Sequence, residues 1–77
     1  MMTIARLTHR YYEDCTKKPH KCKDNVVGYY TTIEKARATA KDFLGEKATV
    51  NNDFGFDIWV SPNLPLTEYI IDLIAVY

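Results

Sequence analysis

The chain has 77 residues, enough for one small domain and too few for a catalytic domain joined to a binding domain. Ten Lys and Arg balance ten Asp and Glu, and six Tyr, three Phe and one Trp give a small core large side chains at low entropic cost. The balance hides a segregation: Arg6, Arg10, Lys17, Lys18, Lys21 and Lys23 stand near the start against Glu13 and Asp14, whereas Asp53, Asp57, Glu68 and Asp72 follow Lys47 with no basic residue among them. Blocks of this kind point either to charged partners or to pairing within the sheet.

The first element is a half-buried strand over Thr3 to Glu13. Ala5, Leu7, His9 and Tyr11 alternate with Arg6, Thr8 and Arg10, so one face is apolar and the other basic. Asp14 to Asn25, with Pro19 and its lysines, reads as a long hairpin loop. Val26-Val27-Gly28-Tyr29-Tyr30-Thr31 is β-branched and aromatic and forms the second strand.

That strand runs into a helix over about 32–44. Thr31 and Glu34 fit a capping box, alanines and charged helix formers fill the interior, and Gly45 stands where a positive φ ends a helix. Ile33, Ala36, Ala40, Phe43 and Leu44 make one stripe, and the small alanines suit close packing on a sheet.

After the helix, Ala48-Thr49-Val50 is a candidate short strand and Asn51-Asn52-Asp53 a turn. Phe54 to Val60 alternates, with Phe54, Phe56, Ile58 and Val60 on one side and Gly55, Asp57 and Trp59 on the other. Ser61-Pro62-Asn63-Leu64-Pro65 connects to the last segment, Leu66 to Tyr77, whose spacing fits helix or strand. Its Tyr, Ile, Val and Thr content favours strand. The expectation is an α+β domain over 1–77 of ββαββ order: an antiparallel sheet of about four strands with one helix on one face.

Met1 to Leu7 lacks the apolar run of a signal peptide, and the apolar end is too short to span a bilayer and carries Glu68 and Asp72. A cytoplasmic location and no membrane contact are expected, with Cys15 and Cys22 as free thiols and a Cys15–Cys22 disulfide as the alternative. Cys15, His20 and Cys22 crowd one loop, but the single residue between His20 and Cys22 is awkward for tetrahedral zinc, and His9 points to the buried face. No metal or cofactor is expected.

Glycine-rich phosphate loops, nucleophile elbows and metalloprotease helices are absent from the sequence, and Asp57, Glu68 and Asp72 have no neighbouring His, so no enzyme is expected. Two binding surfaces are candidates. One is basic: Arg6, Arg10, Lys17, Lys18, Lys21 and Lys23, with Tyr12 beside them, which suits single-stranded nucleic acid. The other is acidic and aromatic: Asp57, Trp59, Glu68 and Asp72. Asp53 to Trp59 echoes the aromatic strand of RNA-recognition domains but has Asn52-Asp53 and Asp57 where that strand is basic or aliphatic.

The run Val26-Val27-Gly28-Tyr29-Tyr30-Thr31-Thr32-Ile33-Glu34-Lys35-Ala36 resembles small phage and bacterial ββαββ domains of unknown function, in which a strand ending in Gly and two aromatics enters a helix opening Glu-Lys-Ala. The resemblance covers the middle third of the chain. It implies a phage or mobile-element accessory protein that binds and inhibits a host or defence protein in the host cytoplasm. Self-association through complementary charges is a further candidate, and Arg6 and Arg10 facing the late carboxylates across paired strands would account for the charge split without any partner.

Overall fold

In the computed structural model, which describes residues 2–14 and 21–76, five strands and one helix follow one another as β1 (Met2–Asp14), β2 (Lys21–Tyr30), α1 (Ile33–Leu44), β3 (Thr49–Asp53), β4 (Phe56–Val60) and β5 (Thr67–Val76). The sheet is antiparallel, with strand order β2-β1-β5-β4-β3. The α+β class and the single helix are as expected, but the sheet has five strands and the order is ββαβββ. The ambiguous last segment is a strand and occupies the centre of the sheet, where Tyr69, Ile70 and Ile71 lie between β1 and β4.

Each register explains which residues share a face. Ala5 lies opposite Tyr30 and Leu73, Leu7 opposite Gly28 and Ile71, and Asp57 opposite Ile71. The helix lies over this side, and Ala5, Leu7, Ala36, Ala40 and Ile71 are fully buried between the two layers, with Tyr30, Ile33, Trp59 and Tyr69 packed around them. Ala36 and Ala40 have no side chain beyond Cβ, so the helix backbone comes close to the sheet. Phe43 departs from the expected stripe: it is exposed at the rim, where its ring stacks on Tyr69 at 5.4 Å, and Tyr69 in turn stacks on His9 at 4.9 Å.

Three local expectations are corrected. Residues 21–25 belong to β2 and not to a loop, because Asp24 lies opposite Arg10 and Lys23 opposite Tyr11, and a bidentate Arg10–Asp24 pair fastens them. The N-cap is Thr32, whose hydroxyl accepts from the Lys35 amide at 3.3 Å, one residue later than the Thr31–Glu34 box. Gly45 ends the helix at φ 87°, as expected, and donates its amide to the Lys41 carbonyl at 2.8 Å.

The second hairpin turns at Phe54-Gly55 instead of Asn51-Asn52-Asp53, which are strand residues of β3. Both turn residues have positive φ, 51° and 82°, the pattern of a type I′ turn whose twist matches the flanking strands. Gly55 adopts this freely. Phe54 does not, and a bulky side chain in that region is a conformational outlier.

Candidate functional site

The side of the sheet away from the helix has no covering layer among the described residues. Its rows follow the register: Ile4 beside Ile74, then Tyr29–Arg6–Asp72, then Val26–Thr8–Ile70–Ile58, then Asp24–Arg10–Glu68. Ile4, Ile58, Ile70 and Ile74 are half-buried, while Tyr29 is 57% and Phe56 43% exposed. A depression of about 200 Å³ lies on this face, lined by Arg10, Phe56, Ile58 and Ile70.

The charged residues of the face are largely paired with one another. Arg6 grips Asp72 through Nε at 3.1 Å and Nη2 at 2.6 Å, and Arg10 grips Asp24 through Nε at 2.9 Å and Nη2 at 3.2 Å. Two parallel N–H bonds from one planar guanidinium fix both orientation and charge. The hydrogen bond to Asp72 raises the Arg6 pKa above its ordinary value, that to Asp24 raises Arg10, and the Asp24 carboxyl is lowered by Arg10. Burial raises the Tyr12 hydroxyl, reinforced by the Glu68 carboxylate beside it. Cross-strand pairing between the basic beginning and the acidic end of the chain is therefore built into the sheet, most clearly as Arg6–Asp72.

The residues expected to form one acidic and aromatic surface do not share a face. Glu68 and Asp72 lie on the open side, whereas Asp57 and Trp59 lie under the helix edge. Asp57 is only 2% exposed, accepting from Arg37 Nε at 2.6 Å and Asn52 Nδ2 at 2.8 Å. Its pKa is lowered chiefly by the Arg37 hydrogen bond, with Asn52 assisting against the opposing effect of burial. Among the described residues, the buried Trp59 indole N–H has no hydrogen-bond partner. This cluster ties helix to sheet. Arg37 escaped attention in the sequence because a helical Arg reads as solvated until the buried carboxylate beneath it is known.

Of the basic set, Arg6 and Arg10 lie on β1, and Lys21 and Lys23 on β2 beside it; Lys17 and Lys18 lie outside the described residues, as do Cys15 and His20. The zinc and disulfide alternatives thus fall outside the described residues too. Among those residues, no group of three or more His, Cys, Asp or Glu is arranged to hold a metal ion, and no helix is long and apolar enough to cross a membrane.

Fold and site together define a small α+β protein with one face of its sheet packed and the other open, apolar in part and internally ion-paired. No protein-family model matches the chain, and no curated protein or solved structure matches it either.

Proposed function

We propose that the protein is a non-enzymatic protein–protein interaction module whose contact surface is the open face of the sheet. One observation carries this reading: among the described residues, more large apolar side chains are exposed than buried. The buried apolar set is Ala5, Leu7, Ala36, Ala40, Leu44 and Ile71, while Met2, Val26, Tyr29, Phe56 and Val76 alone, all on strands, are each at least 40% exposed. Contiguous apolar surface rimmed by polar groups marks interaction sites, and aromatic residues are the anchors most often found there. The resemblance of residues 26–36 to small phage domains fits an accessory protein that binds and inhibits a host or defence protein.

The competing reading, single-stranded nucleic acid on the basic surface, is less well supported. Arg6 and Arg10 already hold carboxylates, and Glu68 stands beside Arg10, so a phosphate would have to displace bonded anions. Anisotropy titration with a labelled single-stranded oligonucleotide at two salt concentrations is expected to show no binding at micromolar protein. Salt-sensitive binding would move the function to the 15–23 segment.

The test of the leading reading compares proteins retained from bacterial lysate by the native chain, by Tyr29→Lys with Phe56→Lys, and by Lys41→Glu on the outer surface of the helix. The open-face variant is expected to lose retained proteins that the helix variant keeps. Identical retention by all three would refute an open-face contact.

A further inference from the structure

Phe54 combines two costs that no contact among the described residues offsets. It sits at the tip of the β3–β4 hairpin with φ 51°, a region in which a bulky side chain is an outlier, and it is 91% exposed. Asn or Gly at this position would form the same turn without the strain. Strain that persists at an exposed site points to use outside the monomer. The depression lined by Arg10, Phe56, Ile58 and Ile70 lies further along the same hairpin, and at about 200 Å³ it has room for a phenyl ring, since cavities of ~150 Å³ accommodate benzene.

We infer that the protein forms a two-fold dimer through its open sheet faces, each copy's Phe54 entering the other's Arg10–Phe56–Ile58–Ile70 depression. The inference rests on the open-face reading above and names the occupant of that face as a second copy. Phe54 does not fill its own depression, for it is almost fully exposed. Two and four residues separate it from Phe56 and Ile58, roughly 7–13 Å along a strand. A two-fold axis between tip and depression makes both insertions at once, the self-complementary arrangement of a closed dimer. Arg10, oriented by Asp24, puts a guanidinium at the rim for the incoming ring.

Charge and area agree with this occupant. Arg6–Asp72 and Arg10–Asp24 are already paired, so the two faces meet as local dipoles and not as like charges. Strands of 13, 10, 5, 5 and 10 residues, ~4.8 Å apart with a rise of ~3.3 Å per residue, present a face of roughly 680 Å² per copy. Two such faces offer roughly 1,400 Å², which clears the ~1,000 Å² expected of a biological interface and lies toward the low end of the ~1,200–2,000 Å² of stable ones.

Sedimentation of the full chain over a concentration series from about 1 μM to about 1 mM reads the association directly. The native chain is expected to pass from monomer to dimer with Kd on the order of 10 μM, and Phe54→Tyr is expected to keep that Kd. Phe54→Asn and Phe54→Gly are expected to weaken association at least ~10-fold. Loss by misfolding is excluded by melting below the dimerisation range, where Phe54→Asn is expected to melt about 3–8 °C higher because the strain is gone. A native chain that stays monomeric throughout overturns the inference, as does a dimer indifferent to Phe54→Gly. Either result leaves the broader reading standing if open-face substitution still abolishes retention of another protein; loss of that effect as well removes both.

Discussion

Replacing Arg37 by Met leaves the Asp57 carboxylate buried with Asn52 as its remaining hydrogen-bond donor. The aliphatic part of the side chain survives, so the change isolates the 2.6 Å charged contact. Removing one partner of a buried pair costs about 3–5 kcal/mol, but the Arg37 side chain is 42% exposed, and solvent screening reduces the loss to about 2–3 kcal/mol. For a chain of this size that is a fall in Tm of roughly 10–20 °C. The effect has a definite pH dependence. Asp57 has a folded pKa lowered below 3.8, so its contribution to stability is present above the unfolded value and is lost as pH falls through the folded one. Without Arg37 the carboxyl titrates higher, so the penalty is largest near neutrality and shrinks as pH falls through that raised value toward the lowered native one. Thermal denaturation followed by circular dichroism at pH 7 and pH 3 measures both quantities. A deficit that is equal at the two pH values, or under about 0.5 kcal/mol at pH 7, would refute the Asp57 clamp as the tie between helix and sheet.

Further outcomes follow from the same geometry. A double-mutant cycle on Arg6 and Asp72 is expected to give a coupling of about 1 kcal/mol, since Asp72 is 12% exposed, and a cycle on Arg10 and Asp24, at 35% and 47%, about 0.3 kcal/mol. Urea denaturation of the singles and doubles checks the order; a larger coupling at Arg10–Asp24 would contradict it. Ala40→Leu places three more carbons between helix and sheet at a fully buried position and is expected to cost about 1–3 kcal/mol by the same assay. An unchanged denaturation midpoint would show that the helix is not held close to the sheet.

The elements legible in the sequence are those whose local and tertiary preferences agree. The β1 alternation placed Ala5 and Leu7 against the helix and Arg6 and Arg10 opposite, and the alanine stripe of α1 turned toward the sheet as its spacing implied. That Arg6 and Arg10 could face late carboxylates across paired strands was legible, but only the register makes Asp72 the partner of Arg6 and Asp24 that of Arg10. The second hairpin was misread because Asn51-Asn52-Asp53 has strong turn propensity, yet these residues pair with Ile58, Asp57 and Phe56, and the Asn52 side chain binds Asp57. Gly55 alone meets the positive φ with ease, and Phe54 gives no sequence signal of turning. Asp57 alternates with Ile58 and reads as a solvent-facing carboxylate; only the helix passing above it makes the site buried. Its separation from Glu68 and Asp72 follows from a one-residue difference in parity relative to β5, which no single strand reveals.

The proposed function rests on contact between another protein and the open side of the sheet. Its most direct measurement is site-specific photo-cross-linking in cells, with a benzophenone side chain at Tyr29 or Phe56 on that face and, for comparison, at Lys41 on the helix. Discrete protein adducts from positions 29 and 56, and none from 41, are the expected result. Adducts formed only from position 41, or none from the two sheet positions, would contradict it.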